Sequence, residues 1–200
     1  MLMINPREGV GNNKPDVLKG LAAGTIAGLV GSWVMEEFQA VWIKASKALQ
    51  YSQGNGSNES SSRTPAGAPA GEPSADGGEE QEPATVKAAE MIYEKILGRQ
   101  LAEDEKEMAG EAVHYATGAA SGAIYGAAAE LAPDVTAGGG VPYGTAVWLV
   151  VDESAVPLLG LSKGPAEYAL STHAYALVSH FVYGVTTEFV RRALRRTILR

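Results

Sequence analysis

The chain has 200 residues, a formal net charge of -7 at pH 7 and no cysteine. This acidic balance argues against nucleic acid as a partner, because no excess of basic side chains is available to neutralise phosphates. The lack of cysteine excludes disulfides, thiolate metal sites and cysteine nucleophiles. The mean hydropathy of -0.05 hides a strong contrast, since one long polar stretch offsets several apolar ones.

The first apolar segment predicts a membrane anchor. Residues 1–16 are polar and are assigned to a cytoplasmic tail, and residues 20–35 carry no charge. A helix over residues 17–43 would be about 40 Å long, which exceeds the hydrocarbon core of a bilayer. Such a segment is too long for a signal peptide, so residues 17–49 are predicted to form a retained transmembrane helix.

A polar stretch and a short helix follow. Ser, Gly, Asn, Pro, Ala and Glu dominate residues 50–84. This composition predicts a disordered periplasmic loop, because few apolar side chains are available for burial. Residues 85–100 place Val86, Ala89 and Ile96 on one side of a helix. We expect this amphipathic helix to pack against its own bundle, and the alternative is that it lies on the membrane surface.

The remainder, residues 85–200, also contains three predicted transmembrane helices, at about residues 111–131, 138–160 and 168–190. Glycines recur every four residues in the first two spans, at Gly20, Gly24 and Gly28 and at Gly118, Gly122 and Gly126. This pattern lets membrane helices approach closely. The predicted fold class is all-α: a four-helix transmembrane bundle with a short periplasmic amphipathic helix and a disordered loop. A soluble alanine-rich bundle is the alternative.

Basic residues predict the orientation in a bacterial inner (plasma) membrane. Lys14 and Lys19 flank the start of the first span, and five arginines follow the last one. Cytoplasmic segments carry an excess of Lys and Arg. Lys44 and Lys47 count against this orientation, but the arginine cluster outweighs them. Both termini are therefore expected to be cytoplasmic.

This orientation brings acids and imidazoles to one layer of the bundle. The preferred candidates for metal ligands are Glu36, His114, Asp152, His173 and His180. Ionisable groups at membrane depth are costly and point to function. This set could hold a metal or haem, relay protons, or form a hydrogen-bond and salt network that fixes the packing. The missing Glu-x-x-His pair counts against a di-iron site.

A second layer of ionisable groups is predicted at the cytoplasmic side. Glu130 and Glu188 lie within reach of Arg191 and Arg192, and structural ion pairs are the simpler interpretation. No serine stands in a nucleophile-elbow pattern, and Gly138 to Gly140 precede no Lys-Ser/Thr pair. The sequence therefore predicts no catalytic residue.

Three segments resemble a known family: AVHYATGAASGAIYGAAAELAP, VPYGTAVWLVVDESAVPLLGLS and SHFVYGVTTEFVRR. They are similar to the YagU-like inner-membrane proteins of bacteria, a family of unknown function. The resemblance covers the first span and most of the chain after residue 84. It implies four membrane helices, a cytoplasmic C-terminus, histidines matching His114 and His180 and an acid matching Glu188. It also implies that histidine can replace Asp152, which favours a polar site over a fixed ion pair.

Three functional hypotheses follow. The first is a non-enzymatic integral membrane protein, a small accessory or stress-related subunit that associates with itself or with a larger complex through its glycine faces. The second is a metal- or haem-binding membrane bundle. The third is a proton-coupled transporter or channel that uses the same residues as a relay.

Overall fold

A computed structural model describes residues 15–54 and 82–197, and within these residues the chain is all-helical, with no strand. This confirms the all-α prediction. The first helix continues to Gly54, five residues into the loop predicted over residues 50–84. Most of the rest of that loop lies outside the described residues, as does most of the tail over residues 1–16. The main helices are α1 Val17–Gly54, α2 Ala84–Ile92, α3 Lys106–Leu131, α4 Val141–Val150 and α5 Leu170–Thr197.

Two helices end in wider, π-helical turns. α2 continues through Tyr93–Leu97 and stops at Gly98, whose φ of 62° suits glycine. α4 continues through the π turn Val151–Ala155 into a short helical turn, Val156–Leu158. Pro157 explains why regular α-helix gives way to the π turn here. Its ring clashes with the carbonyl of the residue four positions earlier, and it has no N–H to bond that carbonyl.

α1 packs against α3 through the two glycine stripes, in antiparallel register. A Cβ atom built on Gly24 would lie 2.1 Å from the carbonyl oxygen of Gly122, and one on Gly28 would lie 2.2 Å from that of Gly118. The backbones therefore touch, as in small-residue interfaces of membrane helices. Because both stripes face each other within the chain, they do not form the partner surface that the first functional hypothesis assumed.

A second glycine interface joins α4 to α5. A Cβ atom on Gly144 would lie 2.1 Å from the carbonyl oxygen of His180, and one on Gly184 would lie 2.3 Å from that of Gly140. α4 starts at Val141, after the predicted boundary at residue 138, because Gly138, Gly139 and Gly140 all have positive φ angles. α5 also packs on α1, which places α1 between α3 and α5.

The short helix α2 packs on α3, as the favoured interpretation of its amphipathic pattern expects. Val86 and Ala89 are its buried residues. An ion cluster at the start of α3 fixes this contact, because Lys106 Nζ lies 2.6 Å from Glu82 and 3.0 Å from both Glu90 and Glu103. These carboxylates, Glu82 first, raise the pKa of Lys106 above its usual range.

Candidate functional site

The candidate site is a cavity of about 640 Å³ between α1, α3, the end of α4 and α5. The start of α2 and the segment between residues 161 and 168 also contribute to its wall. The structure brings all of the predicted ligands to this one cavity: Glu36, His114, Asp152, His173 and His180. They come from four separate helical segments, so the site exists only in the folded chain.

His180 and Asp152 lie next to each other in the lining of the cavity. The ring Nδ1 of His180 lies 2.8 Å from the carbonyl oxygen of Ala176 and 3.7 Å from a carboxylate oxygen of Asp152. A carbonyl can only accept, so Nδ1 carries the proton and, in a neutral ring, Nε2 is an acceptor. The Asp152 carboxylate receives no hydrogen bond from the described residues, and 37% of its side chain is accessible.

Glu153 also lines the cavity, although it is not among the predicted ligands. Its carboxylate lies 2.6 Å from Nδ1 of His173, while Nε2 of that ring lies 2.9 Å from the carbonyl oxygen of Pro165. Both ring nitrogens face acceptors, which fits an imidazolium paired with Glu153. Consecutive acids can both line the cavity because they lie in the π turn Val151–Ala155. π turns are frequent at functional sites.

His114 and Glu36 occupy the α3 and α1 sides of the cavity. Nε2 of His114 is buried and makes no hydrogen bond to the described residues. Glu36 accepts a hydrogen bond of 2.6 Å from the hydroxyl of Tyr115 and is not paired with a histidine. Asp152 interacts electrostatically with both His180 and His114, so the charge of each of these three groups affects the others.

The described residues contain no group of three or more His, Cys, Asp or Glu side chains that could hold a metal ion. Asp152 with His180, and Glu153 with His173, form separate pairs. Protein metal sites generally need three or more ligands at about 2 Å, so the metal centre stays a prediction.

Hydroxyl groups form one wall of the cavity and extend beyond it. The hydroxyl of Tyr183 donates to the carbonyl of Gly118 at 2.7 Å and lies 2.8 Å from the Ser121 hydroxyl and 2.9 Å from the Tyr143 hydroxyl. Tyr143 stacks on Tyr125 with a centroid distance of 4.0 Å. No pattern in the sequence marks these tyrosines as a network.

Ion pairs occupy the opposite part of the bundle from this cavity. Glu188 is 2% exposed, accepts two hydrogen bonds from Arg191, at 2.7 and 2.9 Å, and also pairs with Arg192. Arg191 is 7% exposed and its guanidinium lies 5.8 Å from the ring centroid of Tyr125. A buried pair of this kind fixes side-chain geometry, and leaving either charge alone would be costly.

Glu130 pairs with Arg195, at 2.6 and 2.9 Å, and not with Arg191 or Arg192. It also accepts a hydrogen bond of 3.2 Å from the backbone N–H of Asp16. The Asp16 carboxylate caps the first turn of α1, and the backbone N–H of Lys19 holds the pKa of Asp16 below its usual range. The start of α1 is thereby joined to the ends of α3 and α5.

These features define a protein that is all-helical over the described residues, with a cavity whose lining includes ionisable side chains. Among the described residues, one helix is long and apolar enough to cross a membrane, over Val17–Leu49, with a hydropathy of 1.4. The chain belongs to a family of proteins of unknown function, DUF1440, which matches residues 90–189. The matched region contains His114, Asp152, His173 and His180. Neither a curated protein nor a solved structure matches the chain.

Proposed function

We propose that this chain is a non-enzymatic, four-span protein of the bacterial inner membrane, with both ends in the cytoplasm, and that it serves as a small accessory or stress-related subunit. The resemblance to the YagU-like proteins is part of this proposal. The bilayer is its surrounding medium, and a second copy or a larger membrane complex is the expected partner.

The observation that supports four spans is the distribution of polarity. The largest fully buried side chains among the described residues are Glu188, Thr187, Ser32 and Ser179, and all are polar. Large apolar side chains instead lie exposed on every long helix: Leu29 and Trp33 on α1, Ile124 on α3, Val150 on α4, and Val185 and Phe189 on α5. A water-soluble bundle favours the reverse. In hydrocarbon, apolar side chains face outward, and ionisable groups face the bundle interior.

The hydropathy of α3, α4 and α5 stays low for a specific reason. Alanine and glycine supply much of their sequence, and Gly118, Gly122, Gly144 and Gly184 are needed where backbones touch. Small residues contribute little to a hydropathy average even when the helix crosses a bilayer. The outward apolar side chains, and not the hydropathy averages, therefore support membrane spans for these helices.

Single-cysteine labelling tests the topology directly, because the natural chain has no cysteine that would react. Ser61→Cys lies in the predicted periplasmic loop and is expected to react with an impermeant maleimide in intact cells after permeabilisation of the outer membrane. Asp134→Cys, between α3 and α4, is expected to react only after the inner membrane is lysed. Labelling of both sites in intact cells, or recovery of the chain in solution without detergent, would refute the proposal.

Passage of protons or a solute is a second candidate function, and the hydroxyl network favours it. Ser121 and Tyr183 line the cavity, and the hydrogen-bonded chain extends from them to Tyr143, whose ring stacks on Tyr125. If the network conducts protons, Tyr183→Phe should abolish proton flux in liposomes, whereas Asp134→Asn should leave it intact. Equal flux in both variants would count against a relay.

A further inference from the structure

We propose that the cavity binds a small organic cation that carries a primary ammonium group. This inference rests on the proposed function only in taking the cavity to lie inside a membrane-embedded bundle. Its ligand class comes from the donor and acceptor groups that the cavity presents, from its charge and from its size.

The charge of the lining favours a cation. Four carboxylates line the cavity, from Glu36, Glu111, Asp152 and Glu153, against one ammonium, from Lys163. The imidazolium of His173 offsets Glu153, to which it is bonded. Carboxylates still outnumber cations after this pairing, and this excess of negative charge attracts a positive charge.

The unmet hydrogen-bonding groups favour a ligand that donates. Asp152 offers two carboxylate oxygens that receive no hydrogen bond from the described residues. Nδ1 of His180 donates to Ala176, which leaves Nε2 as an acceptor in the neutral ring. Nε2 of His114 is buried without a partner, and it is an acceptor when Nδ1 of that ring carries the proton. An ammonium group has three N–H donors and no acceptor, so it complements these groups.

The size of the space favours an organic ion over a bare one. A cavity of about 640 Å³ falls within the range of small-molecule sites and is far larger than one cation needs. The described residues also provide no group of three or more metal-ligating side chains. Apolar lining from Val147, Val151 and Leu161, together with the rings of Tyr168 and Tyr183, would contact the hydrocarbon part of the ligand.

Titration calorimetry on the purified full-length chain in nanodiscs tests this proposal, with butylammonium as the probe. The expected result is saturable binding that is about 10- to 100-fold weaker in Asp152→Asn, because a charge-assisted hydrogen bond is lost. Asp134→Asn removes the same charge outside the cavity and should bind as the natural chain does. Butanol, which lacks the charge, should not bind, and tetramethylammonium, which lacks N–H donors, should bind more weakly.

His114→Gln provides a second variant if Asp152→Asn does not fold, and it should also weaken butylammonium binding. No saturable binding at millimolar butylammonium, or equal weakening by Asp134→Asn, would overturn the proposal. Binding of Zn²⁺ that Asp152→Asn abolishes, without butylammonium binding, would overturn it in favour of a metal site. If cysteine labelling supports four spans while butylammonium does not bind, the ligand class fails and the proposed function stands.

Discussion

Gly24→Ala is expected to separate α1 from α3 and to destabilise the bundle. The added Cβ would lie 2.1 Å from the carbonyl oxygen of Gly122, whereas ordinary contact begins at 3.4 Å, so the helices must move apart locally by about 1.3 Å. The obstructing atom is backbone and cannot rotate away. Because α1 and α3 also touch at Gly28 and Gly118, such a movement weakens the neighbouring contacts too.

Two opposing effects set the magnitude. Alanine in place of glycine favours a helix by about 1 kcal/mol. Overpacking of a tight interface costs about 1–3 kcal/mol, and lost neighbouring contacts add to this cost. We therefore expect Gly24→Ala to lower the free energy of unfolding by about 1–2 kcal/mol. Unfolding by SDS in mixed micelles, followed by circular dichroism, measures the change.

Gly164→Ala is the matched control. Gly164 has a φ of -64°, and the nearest contact of an added Cβ is the flexible Glu167 carboxylate at 3.4 Å. Its effect should stay within about 0.5 kcal/mol. Adding Gly122→Ala to Gly24→Ala should cost less than the sum of the two single changes, because the helices are already apart. A Gly24→Ala protein as stable as the natural chain would refute the backbone contact between α1 and α3.

Three further perturbations test other parts of the structure. Glu188→Gln leaves the buried Arg191 guanidinium without its countercharge and should destabilise the bundle by about 3–5 kcal/mol in SDS unfolding. Tyr183→Phe removes a hydroxyl that is hydrogen-bonded to Gly118, Ser121 and Tyr143. It should lower the free energy of unfolding by about 1–3 kcal/mol in the same assay. Lys106→Met should undock α2 from α3, which hydrogen exchange of the α2 amides would report.

The Lys106 cluster also predicts a pH dependence. Its carboxylates raise the pKa of Lys106, so the stabilisation of the α2 contact is fully present below the usual lysine pKa of 10.5 and declines as the pH rises above that value. Hydrogen exchange of α2 should therefore be protected at pH 7–10 and lose protection only in stronger alkali. Loss of protection below pH 9 would contradict this assignment, and so would a Lys106→Met protein in which α2 remains docked.

For Glu188→Gln, the added change Arg191→Met should restore part of the lost stability.

Much of the fold follows from local sequence patterns. The apolar period of α2 predicts a helix that packs on the bundle, and the glycine repeats of α1 and α3 predict close contacts between helices; the structure contains both. The pairing of α1 with α3 does not follow, because Gly24 and Gly122 are distant in sequence and a repeat does not identify its partner. The interface between α4 and α5 was missed for the same reason.

The candidate site was predictable in composition but not in detail. Shared depth on antiparallel helices gathers Glu36, His114 and His180 at one cavity. Consecutive residues of an α-helix point about 100° apart, so helical spacing does not predict that Asp152 and Glu153 both line the cavity. The π turn before Pro157 changes that spacing. The bonds of Tyr183 depend on long-range contacts with Gly118 and Tyr143, which no local pattern encodes.

The central claim is that hydrocarbon surrounds the four long helices. Spin labels on single cysteines test this claim most directly. Suitable outward positions are Leu29 on α1, Ile124 on α3, Leu149 on α4 and Val185 on α5, all of them exposed. In liposomes, each label should be relaxed by oxygen, which concentrates in hydrocarbon, and protected from a water-soluble nickel chelate. Nickel access at residues 124, 149 and 185, with protection at residue 29 alone, would show a single anchor and contradict the four-span bundle.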